Sequence, residues 1–435
     1  MKIAYITAGA AGMFCGSCMR DNTLVTALHA QGHDALLIPT YTPIRTDEED
    51  VSQKRIFFGG INVYLQQNLS LFRHTPWIFD RLLDAPRLLR WVVSRFAGAT
   101  RAEELGELTV SMLKGEHGYQ KKEVDKLVLW LTTEHRPAIV NLTNVILSGM
   151  VHEIKAKAQG KLSILGTLQG DDIYLESLPE PFKSQSLELI RQHCRELDGF
   201  IATSTFYADF MSQYLQIPRD RIHVVHPGIN LKGHSKPQGE VPRTLGVPFT
   251  IGYFARICPE KGLHILVEAY RLLRQMPGVP RCRLRVAGWL GENNRPYLND
   301  LIAKIRSWGW ADDFEHVDCP DHASKVRFLQ SLDVLSVPTV YREPKGIYVL
   351  EALANGIPVV QPRHGSFPEL IEATGGGLLF KPEDPMHLAH ALKQLLDDPK
   401  LWQELGDKGQ KAVHERFHAA AMAENTINVY RKYHP

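Results

Sequence analysis

Short apolar runs alternate with stretches of helical periodicity along nearly the whole chain, and few folds accommodate that order. Residues 3–7, 35–38, 138–142, 163–167 and 200–203 read as buried strands, and the alternation restarts at 249–255, 284–287, 314–317, 334–337 and 358–361. Strand, helix, strand repetition predicts parallel sheets with helices on both faces. Between the two series lies 231–248, LKGHSKPQGEVPRTLGVP, whose polar residues, Gly and Pro suit a linker. A chain of 435 residues exceeds what one core fills. The spacing therefore predicts two doubly wound α/β domains, at 1–235 and 236–415, and a terminal helix at 416–435 that packs back on the first. Ligands of open parallel sheets sit beyond the carboxyl ends of the strands, so the active site is expected in a cleft between the domains.

Fifty basic residues against 48 acidic ones leave a formal charge of +2, far from the field that nucleic-acid binding requires. No nucleic-acid partner is expected. Six cysteines fall well below disulfide-scaffold density, and no long apolar run suggests a membrane span, which together favour a reducing cytoplasm. The opening KIAYITAGA reads as the first strand of a sheet and not as a signal peptide. Residues 71–101 hold six arginines against two aspartates. From Asp84, Leu88, Leu89, Val92, Val93 and Phe96 share one helical face while Arg87, Arg90 and Trp91 point elsewhere. That segment reads first as an amphipathic helix covering the N-terminal domain. Its second reading is a basic surface for an anionic acceptor or for peripheral contact with the inner face of the membrane.

The densest chemistry lies at 343–369, EPKGIYVLEALANGIPVVQPRHGSFPE. Glu343 sits in a loop, Gly346 opens a helix, and Glu351 falls one to two turns inside it. A helix N-terminus offers unpaired N–H groups and partial positive charge to a diphosphate. A carboxylate inside the helix suits ribose hydroxyls, and the loop carboxylate reaches a sugar. Ser366-Phe-Pro-Glu369 reads as a capping box starting the next helix, so Glu369 is assigned to the cap. The second segment, IGYFARICPEKGLHILVEAY, is a strand ending near Arg256, a turn with Pro259 and Lys261, and an amphipathic helix from Leu263. Two cations at the end of a strand suit a leaving diphosphate, whose oxygens gain charge as the glycosidic bond breaks.

These segments resemble the retaining glycosyltransferases of glycosyltransferase family 4, which includes sucrose synthases and bacterial mannosyl- and glucosyltransferases. The resemblance implies two Rossmann-like domains facing across a cleft, the first binding the acceptor and the second a nucleotide sugar. It assigns Arg256 and Lys261 to the donor phosphates, Glu343 to the transferred sugar and Glu351 to ribose, with backbone contacts from Gly346 and Ile347. Pro344-Lys345 stands where the family usually has Gly-Phe. The opening strand, Gly-rich loop and helix are similar to the family's N-terminal motif, which places Gly16 near the diphosphate. His226-Pro-Gly-Ile-Asn230 resembles Pro-Asn-Gly-Ile-Asp. Gln169-Gly-Asp171-Asp172 stands where the family commonly carries a His, so Gln169, Asp171 and Asp172 are candidate acceptor or sugar contacts.

The implied activity is hexose transfer with retention from a nucleotide diphosphate sugar, UDP-linked first among the donors. No cofactor and no metal are expected, and the acceptor is a sugar, glycan or lipid-linked molecule. A glucan synthase of the glycogen or starch type is an alternative, since 2–11, 59–67 and 93–105 resemble those enzymes, although Phe14-Cys-Gly-Ser17 replaces their Lys-Thr-Gly-Gly. A sugar-nucleotide sensor without catalysis is the alternative of another class. Cys15-Gly-Ser-Cys18 has no second C-x-x-C, and the 19 histidines show no H-E-x-x-H spacing, so neither zinc nor redox chemistry is assigned to them.

Overall fold

The computed structural model describes residues 1–9, 14–54, 56–73, 102–158, 162–236 and 248–434. They divide into two compact units, Met1–His226 with Ala420–Pro435, and Pro227–Ala419. The chain thus passes into the second unit at Pro227, upstream of the segment read as a linker. The crossing residues belong there because Ile229 pairs with His418 and donates its N–H to Phe417 O at 3.0 Å. Most of 231–248, and 74–101 of the basic segment, lie outside the described residues.

In the first unit β1 (Lys2–Thr7), β2 (Asp34–Pro39), β3 (Ile139–Leu142), β4 (Ser163–Leu168), β5 (Gly199–Ala202) and β6 (Ile222–Val224) form a parallel sheet in the order β2-β1-β3-β4-β5-β6. The second sheet holds β7 (Phe249–Phe254), β8 (Cys282–Ala287), β9 (Phe314–Val317), β10 (Val334–Leu335), β11 (Val359–Pro362) and β12 (Gly377–Phe380). Its order is β12-β11-β10-β7-β8-β9, again parallel throughout. The doubly wound α/β class expected from the alternation is confirmed in both units. Central strands such as β3, β4 and β5 are buried at every residue because helices cover both faces.

Each order reverses at one point, between β1 and β3 in the first sheet and between β7 and β10 in the second. The crossovers leave in opposite directions there and open a crevice beyond the carboxyl ends. In the first unit β1 feeds the helix Gly16–Ala30. In the second, β7 feeds Leu263–Gln275 and β10 feeds Ile347–Ala354. The last helix, Ala419–Tyr433, returns to the first unit, where Ser163 Oγ donates to Tyr433 O at 2.8 Å and Tyr430 is fully buried.

Candidate active site

At the switch point of the second sheet the chain leaves β7 through Arg256, closes a 3-10 turn Pro259–Lys261, and enters its helix at Gly262 with φ 73°. A Cβ on Gly262 would lie 1.8 Å from Pro338 O, in the segment leaving β10, so the two crossovers touch backbone to side. Only glycine fits such an approach. The contact carries Lys261 to the loop that holds Glu343.

Glu343 is 3% exposed, and its carboxylate is held by donors from two crossovers. Lys261 Nζ donates to Oε2 at 2.6 Å, Tyr341 OH at 2.8 Å and Tyr348 OH at 3.3 Å. The N–H groups of Lys345 and Gly346 donate to Oε1 at 3.3 and 3.4 Å. Gly346 has φ 64° and precedes the helix Ile347–Ala354, which brings Tyr348 round onto the same carboxylate. The Lys261 ammonium also lies 4.9 Å from the Tyr341 ring centroid and 5.1 Å from that of Tyr348. Burial pushes the Glu343 carboxyl up, but the Lys261 charge and hydrogen bond, with Lys345 and Tyr341, outweigh it and hold the pKa at about 2. Burial and the adjacent Glu343 charge drive the Tyr341 hydroxyl far above its ordinary value, with Arg256 pulling the other way. The carboxylate is therefore ionised and fixed, and the phenols keep their protons. This arrangement accepts hydrogen bonds and stabilises positive charge; it does not donate a proton.

Arg256 is exposed, and its carbonyl accepts from Tyr253 OH at 3.0 Å, which fixes the backbone of the turn. Glu351 stands apart from Glu343: it is 5% exposed and accepts from Lys325 Nζ at 2.6 Å. Ile347 begins the helix between them. The capping box read at Ser366 does not form. Ser366 adopts helical angles, φ −79° and ψ −7°, and its side chain makes no cap bond to the helix Phe367–Thr374. Its N–H instead donates to Glu343 O at 2.8 Å, and Gly365 at φ 60° turns the chain against that residue, which consumes the geometry a cap requires.

In the first unit Gly16 opens the helix after β1, exposed at its N-terminus. The polar candidates there are held by hydrogen bonds within the first unit. Asp171 Oδ1 accepts the N–H of Val145 at 2.8 Å and Oδ2 that of Gln169 at 3.0 Å, so one side chain ties together the loops after β3 and β4. Burial raises its pKa to about 6 despite both bonds. Asp172 accepts from Tyr207 OH at 2.5 Å. Gln169 Nε2 donates to Thr143 O at 2.9 Å and to Asp21 Oδ1 at 3.3 Å. Asp21 is wholly buried with Arg20, whose Nη1 donates to it and to Tyr5 OH, each at 3.3 Å. Sequence reasoning missed Lys325, Tyr341, Tyr348 and this Arg20–Asp21 core; Tyr348 alone carried a signal, three residues before Glu351 in the recognised segment.

Among the described residues no group of His, Cys, Asp and Glu has metal-ligand geometry, and no helix is long and apolar enough to cross a membrane. The family model for glycosyl transferases group 1 matches residues 242–412, and that for glycosyltransferase family 4 matches 91–232. The D-inositol 3-phosphate glycosyltransferase of Stackebrandtia nassauensis is 30% identical over 51% of this chain and 51% of its own. The chain spans about half the length of the first of the curated relatives it matches. The enzyme of the same name from Streptomyces coelicolor is 27% identical over 86% of each chain. Among solved structures, HepE of Anabaena in complex with UDP has a TM-score of 0.69 at 16% identity, covering 99% of this chain and 100% of that one, a likeness of fold. Two parallel α/β domains, the first matched over 91–232 by the family 4 model and the second over 242–412 by the group 1 model, place this chain in glycosyltransferase family 4, of glycosyltransferase-B architecture.

Proposed function

We propose that the chain is a retaining hexosyltransferase that uses a nucleotide diphosphate sugar, UDP-linked first among the donors, and needs no divalent metal. The observation that carries this is the Lys261–Glu343 pair at the switch point, clamped by Tyr341 and Tyr348. A fixed anion beside a shared ammonium suits glycosyl transfer, in which positive charge grows on the sugar while negative charge grows on the leaving diphosphate. Glu343 orients the sugar hydroxyls and faces the developing positive charge. Lys261 and Arg256 take the diphosphate, with the amides of Gly346 and Ile347. Because Glu343 is already ionised and held by five donors, it serves as an electrostatic anchor and not as an acid. Front-face attack by an acceptor hydroxyl, deprotonated by the departing phosphate, needs no further protein base.

The acceptor is a sugar, glycan or lipid-linked molecule. UDP as a ligand of the similar fold of HepE supports the choice of donor class. Thermal shift across UDP, GDP and ADP and their sugar conjugates identifies the donor. Product analysis by NMR is then expected to show the donor's anomeric configuration, with turnover unchanged by EDTA. An inverted product, or activity abolished by chelation, overturns the mechanism.

A further inference from the structure

Lys325 lies in the helix His322–Gln330, which a capping box between Asp321 and Ser324 starts. It is 3% exposed, and its ammonium meets Glu351 Oε1 at 2.6 Å, with the two side chains almost wholly removed from water. A dry ion pair is a poor stabiliser, since desolvating both charges offsets their attraction and an apolar pair of similar volume does as well or better. What the pair does supply is a carboxylate of fixed charge and fixed direction.

The end of the helix that carries Glu351 is held in place as well. Asn355 Nδ2 donates to Glu351 O at 2.9 Å and contacts His234 Nδ1 at 2.8 Å. Ser235 N–H donates to Asn355 Oδ1 at 3.2 Å, so the segment entering the second unit is tied to the end of the helix that carries Glu351. Burial first, and then the Lys325 charge, lower His234 to about 3, which leaves it neutral beside the pair. Lys325 therefore keeps Glu351 as its counter-charge, undisturbed by a second cation at this position.

We propose that Lys325 is a positioning residue for the donor: it aims the Glu351 carboxylate at the vicinal hydroxyls of ribose, and so makes the site select ribonucleoside over 2′-deoxyribonucleoside diphosphates. This rests on the nucleotide-sugar reading above. A hydroxyl bonded to a charged acceptor contributes enough that its loss costs about ten- to a hundredfold in affinity. That gain is realised only if the carboxylate is held in one rotamer.

The test is calorimetric titration of the full chain with UDP and 2′-deoxy-UDP, and with the matching ADP and GDP pairs. Wild type is expected to prefer the ribose form by about ten- to a hundredfold. Lys325→Met should bring the two forms within about threefold of each other while leaving affinity for the deoxy form unchanged. Lys325→Gln keeps a hydrogen-bond donor for Glu351 and guards against a variant that fails to fold; it should lower the preference at least threefold. Either folded variant retaining the full preference overturns the proposal, as does an equal fall for both forms together with a lowered melting temperature, which marks a purely structural pair. Wild type that binds both forms equally overturns this inference alone, whereas wild type that binds no nucleoside diphosphate removes the functional reading and this inference with it.

Discussion

The carboxylate of Glu343 accepts from one ammonium, two phenols and two backbone amides. Its pKa of about 2 lies below the ordinary 4.5, so the interactions that lower it stabilise the fold fully above pH 4.5 and are lost as the pH falls towards 2. Glu343→Gln should therefore flatten the acid loss of stability between pH 4.5 and 2, an effect on the order of 3 kcal/mol that melting curves across that range would reveal. At neutral pH the same variant should lower kcat by tenfold or more, roughly, while changing donor affinity little, because the anion is needed most where charge develops. Equal losses in kcat and in donor affinity would instead make Glu343 a ground-state contact. Of this cluster, Glu343 and Lys261 were legible in the sequence chiefly through the resemblance to glycosyltransferase family 4, since their spacing from glycine and helix signals alone also fits surface charges. Tyr341 was not, because a loop aromatic two residues from an acid has no periodicity that reveals its direction. Lys325 was hidden for a related reason: inside a polar helix, HASKVRFLQ, a lysine reads as solvated, and only the packing shows it dry.

At the level of elements, the site depends on two crossovers being threaded closely past each other. Gly262 at φ 73° both ends the turn that carries Lys261 and lies against Pro338 O, where an added Cβ has no room. Gly262→Ala should cost about 1–3 kcal/mol from backbone strain, with more from the clash, and should also raise the donor KM by displacing Lys261. Differential scanning calorimetry and donor kinetics on one preparation separate the effects; a normal melting temperature would mean that the turn relaxes freely. The strands that form the switch points were readable as continuous apolar runs, which follows from their burial on both faces. Two strands were not read, β6 and β12, and both stand at sheet edges. Ile222-His-Val224 carries a polar residue at its centre, and Gly377-Leu-Leu-Phe380 opens on a glycine with its middle leucines half-buried, so neither has the run that marks a central strand.

Taken as a whole molecule, the chain closes its first unit with its last helix. Ala419–Tyr433 follows the second unit in sequence, yet Tyr430, Met422, Ala423 and Ile427 are buried within the first. Tyr433 packs so tightly over β5 that a Cβ on Gly199 would lie 2.3 Å from its ring, and Tyr433 OH meets His223 of β6 at 2.9 Å. A parallel sheet completed by a segment this distant cannot finish folding until the second unit has been synthesised, since its covering helix arrives last. A chain stopped after His418 should therefore lose the cooperative melting of the first unit while the second, whose core is continuous between Pro227 and Ala419, still unfolds as one transition. Arg256, Lys261, Glu343, Ile347 and Glu351 all lie in that second unit, so the shortened chain should keep its nucleoside diphosphate affinity to within about tenfold, the value of one hydrogen bond to phosphate. Calorimetry of the shortened chain, alone and with UDP, checks both halves of this expectation. Retained melting of the first unit would show the helix to be dispensable, and complete loss of nucleotide binding would show that the donor site is not confined to Pro227–Ala419.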